Sequence, residues 1–271
     1  MIEKKDKFKS LSFLIRELWR FIRVETCLFI TGLALSGYLV FSAPGKEMPF
    51  VLLASFLSAC SIYSYNHLTD REEDAVNNGR LNLFVKNASG RLIIAACLAS
   101  SLFFALFLPL SAFLTYALSL SVGMLYSTFR LKRYPIKNLY AGFGFSSSFL
   151  MGAAAAGASL SQMMFYLPVP FIAGFIGNLL GDLRGRSGDS KAGLRTLPVV
   201  LGVKKSKHVL HACAWSITFL STSLYPEFVS VIPFMITLSA FLLVDNMKVT
   251  RMCLLFSFAT MPISLVVTRW M

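Results

Sequence analysis

The sequence predicts an all-α, polytopic membrane protein with nine membrane-spanning helices in one domain. Three observations predict it. Of 271 residues, 56% are hydrophobic and only 14% are charged, and the mean hydropathy is +0.66. A soluble domain carries about 25% charged residues. Nine apolar runs with few charges can be marked along the chain, each about 17–25 residues long, the length that crosses a bilayer as a helix. Finally, 24 of the 26 lysines and arginines fall on one side of such a chain, and only Lys46 and Arg269 on the other. That asymmetry puts the N terminus and the even-numbered connections in the cytoplasm.

The elements follow in order. Residues 1–23, with "KKDKFKSLSFLIRELWRFIR", form a basic amphipathic lead without a small-residue cleavage site. It reads as a helix lying in the interface, with Phe13, Leu14, Leu18, Trp19 and Phe21 toward lipid, rather than as a removable signal. The membrane domain, residues 24–271, takes in the runs 24–43, 49–67, 91–108, 110–127, 139–158, 163–181, 208–224, 227–245 and 251–270. The fifth, "LYAGFGFSSSFLMGAAAAGASL", is rich in Gly, Ala and Ser. Small residues predict close helix packing; a groove for an apolar chain is the competing reading.

The net charge of +13 is accounted for by topology and by contact with anionic lipid headgroups. It is therefore no argument for a nucleic-acid partner, and no feature implies an obligate protein partner. Cys27, Cys60, Cys97, Cys213 and Cys253 all fall in apolar runs without metal-ligand spacing, as buried thiols do. His67, His208 and His211 are too scattered to propose a metal site.

Negative charge is clustered instead. Residues 66–78 read "NHLTDREEDAVNN" and hold Asp70, Glu72, Glu73 and Asp74, four of the thirteen carboxylates. Asn66, Asp70 and Asp74 stand at i, i+4 and i+8, one face of a helix that continues run two. In "GNLLGDLRGRSGDSKAGLRTLP", Asn178 and Asp182 are again i, i+4, and Asp189 stands seven residues past Asp182. A solvated loop also carries such acids. Two clusters, each at a helix exit and on the same side of the membrane, fit that reading poorly.

Ionisable groups near membrane depth face a cavity or a partner, and two facing carboxylate stripes repel unless cations lie between them. The oxygen ligands Asn66, Asp70, Asp74, Asn178, Asp182 and Asp189 suit Mg²⁺, which is commonly shared with substrate phosphates. Lys132, Arg133, Lys137, Arg184, Arg186, Lys191 and Arg195 form a basic rim able to clamp phosphate charge. Carboxylates, Mg²⁺ and a basic rim fit a diphosphate. In a membrane cavity, a diphosphate with an apolar body is a prenyl diphosphate.

These residues resemble the UbiA-type intramembrane prenyltransferases. "NHLTDREEDAVNNGR" is similar to their first motif, N-D-x-x-D-x-x-x-D followed by Asn and Arg. "GDLRGRSGDSKAGLRTLPV" is similar to the second, D-x-x-D-x-x-G-D-x-x-x-G-x-x-T-L-P. "LYSTFRLKRYPIKNL" resembles the Tyr-Ser and Lys-rich loop between spans 4 and 5, and "RFIRVETCL" the arginine that opens span 1. The resemblance implies nine helices ringing a central cavity open to the bilayer. It also implies Mg²⁺ held by both motifs, and a polyprenyl diphosphate bound through the metal.

Residue by residue, Asn66, Asp70 and Asp74 match ligands of the first motif, and Asp182 and Asp189 the first and last Asp of the second. Lys132 matches a lysine near the diphosphate, and Arg23 the span-1 arginine. On this reading Asp70, Asp74, Asp182 and Asp189 carry catalysis through the metal, and Arg23, Lys132, Arg133, Arg186 and Lys191 bind diphosphate. Two positions depart from the pattern. His67 stands where many members have Asp. Gly185 stands where the second motif has a metal-ligating Asp, so that Asp182, with Asn178, or Arg186 would have to compensate.

The expected activity is Mg²⁺-dependent transfer of a polyprenyl group to an aromatic or lipid-precursor acceptor in a prokaryotic plasma membrane, a step of isoprenoid biosynthesis. Three alternatives stay open on these residues. They are a UbiA-type terpene cyclase with no external acceptor, a non-catalytic relative, and a cation-coupled carrier. Carriers usually bind near the bilayer midplane on broken helices, whereas these carboxylates follow the apolar runs.

Overall fold

The computed structural model describes residues 2–71, 81–128 and 134–271, and the described residues include no strand. The helices are α1 (Ile2–Ile22), α2 (Val24–Phe41), α3 (Met48–Thr69), α4 (Leu83–Lys86), α5 (Ala88–Ala105), α6 (Leu110–Thr128) and α7 (Lys137–Ala155). They continue as α8 (Leu160–Tyr166), α9 (Pro168–Lys191), α10 (Leu197–Leu201), α11 (Val203–Ser223), α12 (Ile232–Leu243) and α13 (Met247–Leu265). A 3₁₀ turn, Pro226–Val231, precedes α12, and a π-turn, Val266–Trp270, prolongs α13.

The boundaries follow local chemistry. Prolines stand in the first turns of α3, α9 and α10, where a missing N–H costs nothing. Ser159 opens α8 with a capping box: its side chain accepts from the Gln162 N–H while Gln162 Oε1 accepts from the Ser159 N–H. Asn246 caps α13 by accepting from Val249 N–H at 3.2 Å. Gly193, at φ +70°, ends α9 in the left-handed region that only glycine enters freely. Pro168 breaks α8 from α9, which meet at 44°.

Each predicted apolar run is occupied by helix. Among the described residues, five helices (α2, α3, α5, α6 and α13 with its π-turn) are long and apolar enough to cross a bilayer, or six if α8 and α9 count as one broken span. The helices α7, α11 and α12 fall short of that test. Serines and glycines dilute α7, Lys204, Lys205 and Lys207 charge the start of α11, and α12 has only 12 residues. The outer surface is apolar, with Leu92, Leu110, Leu114, Phe143, Phe219 and Ile263 all exposed. A surface of that kind belongs in lipid.

α3 packs against α2, α5 and α6, α7 against α2, α6 and α9, and α13 closes back onto α2. The α2–α7 pair is the tightest crossing. A Cβ at Gly152 would overlap the Ala34 carbonyl, and one at Gly37 the Phe149 carbonyl. Small residues on this edge of α7 therefore serve close packing. Nearer its start, α7 lines a cavity with Ala141, Gly144 and Ser148.

The lead helix α1 is amphipathic, with Leu11, Phe13, Leu14, Ile15 and Trp19 exposed. Phe21 departs from the expectation. It is fully buried and stacks on His67 at 6.1 Å and against Phe84 at 5.7 Å. Glu17, 1% exposed, accepts from the Leu83 N–H at 3.3 Å, and its carbonyl accepts from Asn82 Nδ2 at 2.9 Å. The inner edge of α1 is thus pinned to the segment leading into α5.

Candidate active site

Both acidic stripes arrive at one end of the bundle. The end of α3 carries Asn66 and Asp70, 8% and 9% exposed, and the end of α9 carries Asp182 and Asp189, 4% and 8% exposed. Four carboxylates and amides this buried at helix ends are costly unless partnered, and for Asn66 and Asp182 the partners come from other helices. Asn66 Oδ1 accepts from Ser127 Oγ at 3.1 Å, which ties α3 to the last turn of α6. Asp70 caps α3 and accepts from Thr69 Oγ1 at 3.2 Å.

Asp182 is the most heavily engaged. One carboxylate oxygen pairs with the Lys137 ammonium, and the other accepts from Asn138 Nδ2 at 3.1 Å. The same Asn138 amide donates to Asn178 Oδ1, also at 3.1 Å. Lys137 and Asn138 are the first two residues of α7, so the start of one helix is sewn to the end of another. Burial pulls the Lys137 pKa down, but Tyr126, Asp182 and Asp189 pull harder, and the ammonium is held above the ordinary lysine value. The Asn138 Oδ1 acceptor is buried and has no hydrogen-bond partner among the described residues.

Arg23 enters from a third direction. It sits at φ 51°, ψ 53°, a left-handed conformation rare for a residue with a side chain, between α1 and α2. Such strain persists where surrounding contacts impose it. Here its Nε donates to His67 Nε2 at 3.1 Å and its guanidinium lies 5.6 Å from the Tyr63 ring centroid. His67, which stands where many members of the family it resembles have Asp, therefore accepts from the arginine.

Arg23, Asn66, Tyr126, Ser127 and Asn178 form the polar wall of a cavity of about 120 Å³. Its remaining lining is largely apolar, from Ile30, Ala59, Ile62, Val122 and Phe145 among others. An apolar chamber with amides, hydroxyls and a guanidinium along one wall suits an amphiphile with an anionic head.

The sequence-predicted residues divide accordingly. Asn66, Asp70, Asn178, Asp182, Asp189 and Arg23 come to this end of the bundle. Arg186 is exposed and donates from Nε to the Pro198 carbonyl at 3.1 Å, so it braces α10. Lys191 is exposed on the last turn of α9. Asp74, Lys132 and Arg133 lie outside the described residues. Sequence reasoning put Lys137 in the phosphate-clamping rim, not on a carboxylate, and gave no role to Asn138 or Ser127. Their only signal was polar residues at run boundaries. Among the described residues, no three His, Cys, Asp or Glu side chains come together as a metal site.

Known proteins share this architecture and much of this sequence. The digeranylgeranylglyceryl phosphate synthase of Methanoculleus marisnigri is 31% identical over 198 residues, 68% of either chain. The enzyme of the same name from Natronomonas pharaonis is 28% identical over 202 residues, 72% of either chain. The solved UbiA homolog from Aeropyrum pernix K1 superposes with a TM-score of 0.77 at 19% identity, over 90% of this chain and 98% of that one. A UbiA homolog from Archaeoglobus fulgidus, solved bound to GPP and Mg²⁺, gives a TM-score of 0.69 at 18% identity, over 93% and 97%. At such identities the structures speak for the fold alone. The sequence profile of the UbiA prenyltransferase family matches residues 26–266, a stretch that includes both acidic stripes and every cavity-lining helix. With fold, motifs and profile in agreement, the chain belongs to the UbiA prenyltransferase family.

Proposed function

We propose that the chain transfers a polyprenyl group from a prenyl diphosphate to a phosphate-bearing lipid precursor, with Mg²⁺ as cofactor and diphosphate as the second product. The observation that carries this reading is the meeting of Asn66, Asp70, Asp182, Asp189, Lys137 and Arg23 at one end of a largely apolar cavity. The named activity of the relatives supports a glycerol-phosphate acceptor over an aromatic one.

The two stripes differ in how well they suit Mg²⁺. The first stripe fits: an amide oxygen and a carboxylate one turn apart, nearly buried, are hard ligands at the polar end of the cavity. Asp74 would extend it. The second stripe fits poorly, because both oxygens of Asp182 are engaged and Gly185 offers none. When bound, Mg²⁺ supplies positive charge against the leaving diphosphate.

The chain's own residues supply the rest. Arg23, pre-set by His67 and Tyr63, pairs with the diphosphate, and ordering it beforehand spares entropy at the moment of reaction. The apolar wall keeps water from the allylic carbon as it ionises and holds the acceptor beside it. Burial, Arg251 and Arg23 push the Arg184 pKa below the ordinary arginine value, while Glu25, which pairs with Arg251, opposes them.

Diphosphate release by the purified chain in lipid tests this reading, with labelled prenyl diphosphates and a panel of glycerol-phosphate lipids. Release that needs Mg²⁺, stops with EDTA and falls at least about 100-fold in Asp70→Ala is the expected outcome. Label should appear in a phospholipid product. Release with no conjugate would favour a cyclase, and no release with any donor would sink the reading.

A further inference from the structure

We propose that the Lys137 ammonium takes the place of a second divalent cation, so that this chain handles diphosphate with one Mg²⁺ at the first stripe and one built-in positive charge at the second. The inference rests on the diphosphate reading above and gives Lys137, placed by the sequence only in the basic rim, the part of a metal ion between carboxylate and phosphate.

Charge balance is the first argument. With Gly185 in place of a carboxylate, the second stripe holds Asp182 and Asp189 alone. A Cβ at position 185 would lie 3.6 Å from Asp189 Oδ1, at ordinary contact distance, so an aspartate there is sterically admissible. Its side chain would start out beside Asp189, and three carboxylates together would call for a divalent ion. This chain has one negative charge fewer and, at the same spot, a buried positive charge.

Geometry is the second argument. Lys137 is 9% exposed, and its ammonium sits directly on Asp182. Asn138 holds the other oxygen of Asp182 and also Asn178 Oδ1, so the ligands that would otherwise turn to a metal are already committed. Asn178 and Tyr126 line the cavity, and both belong to the Lys137 surroundings. An ammonium has three donors. One satisfies Asp182, and the others remain to bridge toward phosphate oxygens, as a metal ion between carboxylate and phosphate would. Asn138 Oδ1 in the same group, buried and unpartnered among the described residues, offers an acceptor to a water or a protonated ligand oxygen.

Metal stoichiometry tests the proposal apart from turnover. The full chain in lipid nanodiscs is loaded with an unreactive geranyl thiolodiphosphate and Mn²⁺ in place of Mg²⁺, and bound Mn²⁺ is counted by electron paramagnetic resonance. Wild type should hold one Mn²⁺ per chain, and the double variant Lys137→Met/Gly185→Asp should hold two. Lys137→Met alone should raise KM for the prenyl diphosphate about tenfold or more, the loss expected for a charge-assisted contact. Lys137→Arg should retain most of the affinity. Two Mn²⁺ in analogue-bound wild type would overturn the assignment of Lys137 while leaving the diphosphate reading intact. Failure of wild type to bind the thiolodiphosphate at all would overturn both. The wild-type count decides the matter even if a variant does not fold.

Discussion

At the scale of single residues, the site works by pairing groups from different helices. Arg23 shows it most plainly: its backbone is in an unfavourable region, and its side chain is steered by His67 and Tyr63. His67 is then a positioning residue, important through the guanidinium it holds. His67→Leu should lower kcat/KM for the prenyl diphosphate about tenfold, in the range of one hydrogen bond to a charged group. His67→Gln, which keeps an acceptor oxygen, should recover most of it. Equal losses in both variants, measured with donor varied at saturating acceptor, would rule out the positioning role.

At the scale of elements, α7 carries two jobs at its two ends. Its first turn delivers Lys137 and Asn138 to Asp182, and its last turns press against α2 so closely that no Cβ fits at Gly152. The near-contact of the two backbones fixes the height at which the first turn meets α9. Gly152→Leu should therefore do more than destabilise. Overpacking of this kind costs about 1–3 kcal/mol, readable as a lower midpoint of thermal unfolding in detergent. Because the helix must shift, KM for the donor should rise as well, although residue 152 is several turns from the site. Gly144→Ala is the control on the same helix: a Cβ there meets Val122 at 3.7 Å, ordinary contact, and should leave stability within about 0.5 kcal/mol.

At the scale of the whole molecule, the apolar outer surface puts the protein in a bilayer, and the charge asymmetry predicts that the site faces the cytoplasm. On a cysteine-free background, Lys46→Cys should react with a membrane-impermeant maleimide in intact cells, and Lys248→Cys only after permeabilisation. Labelling in the reverse order would invert the orientation and place the diphosphate site outside, away from cytoplasmic donors.

What the sequence by itself determined is everything that depends on neighbours along the chain. Helices, their caps and breaks, the apolar runs, and the shared face of Asn66 with Asp70 or of Asn178 with Asp182 all follow from periods of a few residues. The family motifs were legible for the same reason. The tertiary structure alone decided which charges meet. Lys137 and Asp182 are 45 residues apart in number and in contact in space; Ser127 reaches Asn66 across 61 residues, and Phe21 turns inward against the expectation of a lipid-facing ring. A helix's face is set by its own geometry, but its partner, height and rotation are set by close packing of side chains from distant segments, such as the glycine contacts of α2 and α7. That packing set Lys137, a member of the expected phosphate-binding rim, against the Asp182 carboxylate.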